Sequence, residues 1–149
     1  KTKKERDLIA HIMPIADVDA AIIHPKIIIA SDSVGPTHPR SAGTFSRVLG
    51  HYVREKKSLS LMTALKKMTL LPAQRLEWFV PAMKKRGRLQ EGMMADITIF
   101  DPLTISDNSS YKEADKHSSG VKYLLVHGEM VIENESIING VAPGLAIKR

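Results

Sequence analysis

The feature that most constrains the fold is a run of three isoleucines in Lys26–Ser31, followed at once by a loop rich in glycine and proline. These apolar residues do not alternate with polar ones, so a strand at this position would bury both faces. Such strands are typical of parallel sheets that are covered by helices on both sides. We therefore expect Lys26–Ser31 to be a strand of an α/β fold, with residues 32–43 forming the loop that leaves its carboxyl end.

Helical spacing follows this loop. Apolar residues recur at i, i+3, i+4, i+7 and i+8 from Phe45 to Val53, which predicts an amphipathic helix with one buried face. Ser60 is a suitable N-cap for a second helix, Leu61–Met68, and Pro72 suits the first turn of a short third helix. A strand, a loop and helices in this order indicate an α/β region.

Short strands and turns dominate the second half of the chain. Val121–Val126 and Glu129–Glu133 flank His127-Gly128, a dipeptide that favours a hairpin turn. The sequence thus predicts two regions, an α/β region over residues 1–76 and a mostly β region over residues 77–149.

The chain of 149 residues carries a formal net charge of +6, which raises the question of nucleic-acid binding. Its basic residues concentrate in Lys1–Arg6 and Lys84–Arg88, and no aromatic residue interleaves with either run. Since nucleic-acid sites usually combine positive charge with stacking aromatics or a known motif, we expect these runs to be solvated surface. A basic surface would equally suit an anionic small molecule.

Membranes and disulfides receive no support from the sequence. No apolar run approaches the roughly 18 residues that a spanning helix needs, and the charged start is not followed by the core of a signal peptide. The chain has no cysteine, which excludes disulfides and thiolate metal ligands within it. We expect a cytoplasmic protein.

Asp32 is the first candidate for chemistry, because it follows the predicted buried strand directly. Ligands and catalytic groups of α/β folds gather outside the carboxyl ends of such strands. Aspartate also begins many turns and caps many helices, so position alone leaves both interpretations open.

Arg40 and His38 lie in the same loop as Asp32. At roughly 3.3 Å per residue the loop is long enough to fold back over the end of the strand. The guanidinium of Arg40 matches a carboxylate in a bidentate pair, although a surface arginine is the simpler interpretation. His38 suits a metal ligand, a base or a hydrogen-bonding group that stabilises the loop. The remaining histidines form no pair at metal-ligand spacing: His11, His24, His51, His117 and His127.

The segment Ile28–Glu55 resembles the D-aminoacylase (N-acyl-D-amino-acid deacylase) group of the amidohydrolase superfamily. The elements that carry the resemblance are Ser31-Asp32, His38-Pro39-Arg40, Gly43-Thr44-Phe45 and Arg47-Val48-Leu49-Gly50. Further similar elements follow in Lys67-Met68-Thr69, Leu71-Pro72-Ala73, Gly87-Arg88-Leu89, Glu91-Gly92, Ala95-Asp96-Ile97 and Phe100-Asp101-Pro102.

The resemblance implies a (β/α)8 barrel with a small β-sandwich built from both ends of the chain. Residues 1–76 would then supply the last βα units of the barrel, and residues 77–149 the C-terminal strands of the sandwich. A complete barrel needs roughly 200–250 residues, so we expect this chain to be the C-terminal part of a longer enzyme.

The resemblance also implies roles for the three candidate residues. Asp32 matches the aspartate that approaches the metal centre and acts as general base on the attacking water. Arg40 matches the arginine that binds the α-carboxylate of the substrate, and His38 lies beside it in the substrate site. The implied metal is zinc, with its other ligands upstream of this chain. The implied substrate is a small N-acyl amino acid.

Two positions depart from the family pattern, Ser33 where glycine is common and His127 where asparagine is usual. Other interpretations stay open: a cyclic amidohydrolase of the dihydroorotase or hydantoinase kind, an isoaspartyl dipeptidase, or a non-catalytic binding and assembly module. We expect the isolated chain to be inactive, because its metal site is incomplete. We also expect it to associate with the remainder of the barrel or as a homo-oligomer.

Overall fold

The computed structural model describes residues 12–148, except residues 34 and 36. Four α-helices come first, and a four-stranded sheet follows. The helices are α1 (Ile15–Ile23), α2 (Arg40–Arg47), α3 (Leu61–Met68) and α4 (Leu70–Leu76), with a π-helix (Val48–Glu55) after α2 and a 3-10 helix (Pro81–Lys85) after α4. The strands are β1 (Ile97–Phe100), β2 (Val121–Val126), β3 (Glu129–Glu133) and β4 (Ser136–Ile137).

The predicted helices are confirmed, with one difference in where a helix begins. Helix α3 has the predicted bounds, and the Oγ of Ser60 accepts a hydrogen bond from the N–H of Thr63 at 3.2 Å. The amphipathic helix begins at Arg40 rather than near Phe45 and passes into the π-helix without a break. Val48 on its inner face is buried, as the spacing predicts.

The sheet is antiparallel throughout, in the order β1-β2-β3-β4. Strands β2 and β3 have the predicted bounds and are joined by His127-Gly128. Both turn residues have positive φ, 54° and 83°, which is the backbone that a two-residue hairpin turn of the right twist requires. The hairpin prediction is confirmed.

One buried cluster contains residues from both regions. Val48, Leu49 and Tyr52 of the π-helix lie in it together with Ala64 of α3. Ile105, from the loop after β1, belongs to the same cluster. The helices and the β region therefore share a core in the described part of the chain.

The predicted strand Lys26–Ser31 is wrong for this structure. Within the described residues the only sheet is the antiparallel one, and this segment takes no part in it. Ile29 is buried at 5% exposure, but Ile27 and Ile28 are each 41% exposed. The physical reason is that a parallel ladder needs a second strand, which the described residues do not offer. The segment bonds instead to nearby residues: the N–H of Ile27 donates to the carbonyl of His24 at 3.2 Å, and the N–H of Ile29 donates to the carbonyl of Lys67 on α3 at 3.0 Å.

Candidate functional site

Asp32 and Arg40 meet at the surface. A nitrogen of the Arg40 guanidinium lies 3.1 Å from the Oδ2 of Asp32. The side chains are 41% exposed for Arg40 and 74% exposed for Asp32, so water reaches both charges. The loop between them folds back, as its length predicts, and it brings the carboxylate and the guanidinium into direct contact. An exposed pair of this kind contributes roughly 0–1 kcal/mol to stability, so it holds the fold only weakly.

The backbone conformation at Asp32 and at Arg40 determines where the two charged groups lie. Asp32 has a φ of 51°, in the left-handed region, which aspartate tolerates better than most residues. Arg40 is the first residue of α2, and Pro39 precedes it as the N-cap. Proline has no backbone N–H, so at a helix start it adds no donor that would lack a partner within the helix.

His38 stabilises the turn that carries Arg40. Its Nδ1 accepts a hydrogen bond from the backbone N–H of Arg40 at 3.1 Å. Its ring also meets that of Tyr111 edge-on, with centroids 5.3 Å apart. Of the three roles open to His38 on sequence grounds, the structure shows the hydrogen-bonding one. The substrate-binding role stays a prediction.

Loops of the β region hold this turn through its backbone. The Oγ of Ser109 donates to the carbonyl of Pro39 at 3.0 Å. The Oγ of Ser118 donates to the carbonyl of Ala42 at 3.1 Å. Both serines lie about seventy residues or more further along the chain, so sequence reasoning missed them. They fix the first turn of α2, and with it Arg40, against the β region.

Gly43 gave a signal that could have revealed this contact. A glycine inside a helix costs about 0.5–1 kcal/mol relative to alanine, so it calls for a reason in packing. A Cβ at Gly43 would lie 1.9 Å from an oxygen of Asp107, well inside contact distance. The same oxygen accepts a hydrogen bond from the backbone N–H of Ser109 at 2.9 Å and lies 2.5 Å from its Oγ, whose single proton is shared between this oxygen and the carbonyl of Pro39. Gly43 therefore makes room for the loop that secures Arg40.

A mostly apolar cavity of about 680 Å³ lies between α2 and the sheet. Ser31 and Arg40 are among the residues that line it, so the cavity lies beside the Asp32–Arg40 ion pair. Phe45, which the spacing assigned to the buried face of its helix, is half-exposed because it lines this open cavity.

Lys67, which the sequence places in the Lys67-Met68-Thr69 element, has a buried setting that sequence reasoning missed. It is only 1% exposed and is the largest fully buried side chain of the described residues. Its Nζ donates to the carbonyl of His24 at 2.5 Å, and its own carbonyl accepts from Ile29. Burial lowers the pKa of the Lys67 ammonium.

A separate charged cluster joins α1 to the π-helix. The hydroxyl of Tyr52 donates to Asp19 at 2.8 Å, and the Nζ of Lys56 lies 2.6 Å from the other oxygen of Asp19. Both hydrogen bonds lower the pKa of Asp19, and the bond from Lys56 has the larger effect. Burial, and then the bond to Asp19, raises the pKa of Tyr52 to about 12. The cluster fixes α1, which leads directly into the isoleucine segment before Asp32.

The basic run Lys84–Arg88 is partly neutralised within the fold. Arg86 pairs with Asp96, and Arg88 pairs with Glu77 at 2.7 Å. Two cations of this run are thus paired with carboxylates within the fold.

A complete metal site is not present in the part of the chain that the structure describes. No group of three or more His, Cys, Asp or Glu side chains there is arranged to hold a metal ion. His11 lies outside the described residues. Asp32 is therefore at most one member of a ligand set. No helix of the described residues is long and apolar enough to cross a membrane.

Known proteins similar to this chain share its sequence and its fold. The model of the amidohydrolase family matches residues 9–132. The N-acyl-D-aspartate deacylase of Alcaligenes xylosoxydans xylosoxydans is 35% identical over 127 residues, which is 83% of this chain and 24% of that protein. The chain thus spans about a quarter of the length of the curated relatives that it matches.

Two solved structures are similar to it in three dimensions. The crystal structure of a D-aminoacylase matches with a TM-score of 0.76 and 34% identity, over 85% of this chain and 26% of that one. The N-acyl-D-glutamate deacylase from Bordetella bronchiseptica matches with a TM-score of 0.72 and 38% identity, over 80% of this chain and 25% of that one. The latter is complexed with zinc and a phosphonate inhibitor that mimics the tetrahedral intermediate of the reaction.

Proposed function

This chain belongs to the amidohydrolase family, and from that premise we propose that it is the C-terminal part of a metal-dependent N-acyl-D-amino-acid deacylase. The observation that carries the proposal is the approach of Asp32 to Arg40, at 3.1 Å. One group suits a general base, the other suits the recognition of a carboxylate, and both stand on one loop. The similarity to deacylases of acidic and other D-amino acids supports the same conclusion.

Asp32 is the proposed general base. Its carboxylate accepts a proton from the attacking water while the water oxygen bonds to the amide carbonyl carbon. The C–N bond then breaks, and the same carboxyl group returns the proton to the departing nitrogen. The second proton of the water, which remains on the new carboxyl group, passes to the amine. The products are therefore a carboxylate and a free D-amino acid with a protonated amine, and atoms and protons balance without a further reactant.

Asp32 is also the proposed metal ligand of this chain. A carboxylate oxygen is a donor that zinc accepts, and the surface position of Asp32 leaves it open to partners from outside the described residues. Zinc, when bound, supplies a water acidic enough to lose its proton near neutral pH. We place the remaining ligands upstream, in the larger part of the protein, and therefore expect no turnover from the isolated 149 residues.

Arg40 is the proposed anchor for the α-carboxylate of the substrate. One nitrogen of its guanidinium pairs with Asp32 in the structure, and the planar group can bind the carboxylate of a substrate through two parallel hydrogen bonds. His38 supports this role, since it fixes the backbone N–H of Arg40 and lies on the same turn.

The architecture that fits this role is a (β/α)8 barrel followed by a small β-sandwich. Residues 1–76 would complete the barrel, and residues 77–149 would contribute strands to the sandwich. The exposed Ile27 and Ile28 support this division, since apolar surface of this kind is typical of a face that other parts of a protein cover. The partner is thus the remainder of the same protein.

The test is an assay of the complete protein, loaded with zinc, on N-acetyl-D-amino acids with neutral and acidic side chains. Release of the free D-amino acid is the expected result. The same preparation is then assayed with a dihydropyrimidine, a hydantoin and an isoaspartyl dipeptide. These are substrates of the two alternative enzyme classes, the cyclic amidohydrolases and the isoaspartyl dipeptidases. Turnover of one of these alone would replace the proposed substrate, and no turnover of any would favour a non-catalytic module.

A further inference from the structure

We infer that Lys67 is a positioning residue, which sets the place of the Asp32 carboxylate by holding the chain segment that leads to it. This inference rests on the proposed function, in which Asp32 is the base. Lys67 lies on α3 and touches neither Asp32 nor Arg40 in any contact described above. Its influence passes through the backbone of residues 24–29.

Lys67 forms hydrogen bonds with both ends of that segment. Its Nζ donates to the carbonyl of His24 at 2.5 Å, and its backbone carbonyl accepts from the N–H of Ile29 at 3.0 Å. The carbonyl of His24 is further engaged by the N–H of Ile27 at 3.2 Å. Two bonds from a single residue therefore fix the start and the end of a six-residue stretch.

Helix α3, which carries Lys67, is itself well fixed in the fold. Ser60 caps its N-terminus, and Ala64, one turn before Lys67, is 0% exposed. Ile29 and Ala64 belong to the same buried cluster. From Ile29 only three residues remain to Asp32, a span of roughly 10 Å, so a shift in the segment reaches the carboxylate.

Burial of Lys67 is hard to explain by stability alone. Lysine is almost never fully buried unless it is paired, and here its Nζ has a carbonyl rather than a carboxylate as partner among the described residues. A buried ammonium group carries a desolvation cost that an apolar residue of similar size avoids. A residue that is costly to bury and whose side chain donates to the segment before Asp32 is better explained by the geometry that it imposes.

The experiment compares Lys67→Met with the native sequence in the complete zinc-loaded protein. Methionine keeps the apolar stem and removes the donor to His24. We expect kcat to fall roughly 10- to 100-fold, the range for partners that orient a catalytic group, while the melting temperature stays equal or rises. KM is expected to stay as it is, because Ser109 and Ser118 hold the turn of Arg40 independently of Lys67.

Lys66→Met is the matched control, since Lys66 is the exposed neighbour on the same helix and its loss is expected to leave kcat unchanged. A folded Lys67→Met protein with native kcat, or one in which only the melting temperature falls, would overturn the inference. If Lys67→Met does not fold, Lys67→Gln replaces it, and native kcat in that variant overturns the inference equally. Lack of activity in the native protein would instead reject the proposed function, so the two failures are distinct.

Discussion

The Asp32–Arg40 turn and the buried cluster around Val48 differ in what holds them. The turn is exposed, and an ion pair and two serine hydroxyls that donate to its backbone carbonyls hold it. The cluster is made of apolar side chains that are almost without exposure, contributed by the helices and by Ile105 of the β region. Substitutions in the turn are thus expected to alter chemistry with little effect on stability, and substitutions in the cluster to do the reverse.

The largest expected effect comes from the exposed region. Asp32→Asn in the complete protein removes the proposed base, and kcat is expected to fall roughly 10²- to 10⁴-fold. The melting temperature is expected to change little, because the pair with Arg40 is an exposed one. Steady-state kinetics and thermal unfolding measure the two effects. Asp17→Asn, at an exposed position on α1, is the control. Retention of turnover by the Asp32 variant would remove the chemistry from this turn.

The reverse result is expected from the buried cluster. Val48→Ala deletes two methyl groups from a residue that is 2% exposed, and we expect a loss of about 1–3 kcal/mol in the free energy of unfolding. The kcat of the folded fraction is expected to remain native. Leu103→Ala, at an exposed site of the β region, gives the comparison in denaturant unfolding. A kcat that falls as steeply as stability would show that the two regions are not separable.

A smaller effect tests whether Arg40 binds the substrate while Asp32 acts as the base. Arg40→Lys keeps the charge but loses the planar fork, so KM for carboxylate-bearing substrates is expected to rise about tenfold, with kcat near native. Arg75→Lys, at an exposed position of α4, is the control. An unchanged KM would take Arg40 out of the substrate site and leave its bond to Asp32 as a structural contact.

The smallest expected effect concerns pH and the cluster around Tyr52. The pKa of Tyr52 is raised from its usual 10 to about 12, so its neutral hydroxyl stabilises the fold below pH 10 and this contribution is lost as the pH rises towards 12. Tyr52→Phe is expected to cost about 1 kcal/mol at neutral pH. Urea unfolding of both proteins between pH 8 and about 12 measures the difference, which is expected to shrink over the upper range. Tyr123→Phe, whose hydroxyl meets Asn134, is the control. A difference that does not vary with pH would contradict the assignment.

Local signals made much of this fold predictable. Ser60 marks the start of α3, and His127-Gly128 marks the turn between β2 and β3, because capping and turn chemistry depend on neighbours in the sequence. The isoleucine segment failed for the opposite reason. Its composition indicates a strand, but a strand exists only with a partner, and pairing is not encoded within the segment itself.

The candidate site was predictable in the same uneven way. The length of the loop indicated that Arg40 can return to Asp32, and the structure brings them together. Nothing in the spacing indicated Ser109 or Ser118, since contacts across seventy residues leave no periodic trace. Lys67 was missed because lysine at a helix position is ordinarily a surface residue, and only its buried setting sets it apart.

The serine bonds to the carbonyls of Pro39 and Ala42 have a consequence for protein engineering. Because they recognise main-chain atoms, they would tolerate a different side chain at position 40, yet they depend on the path that the chain takes through residues 39–43. A graft of the arginine loop into another scaffold would therefore have to carry residues 107–118 with it. Libraries that vary substrate preference can be confined to side chains of the turn, provided that its length and Gly43 are kept.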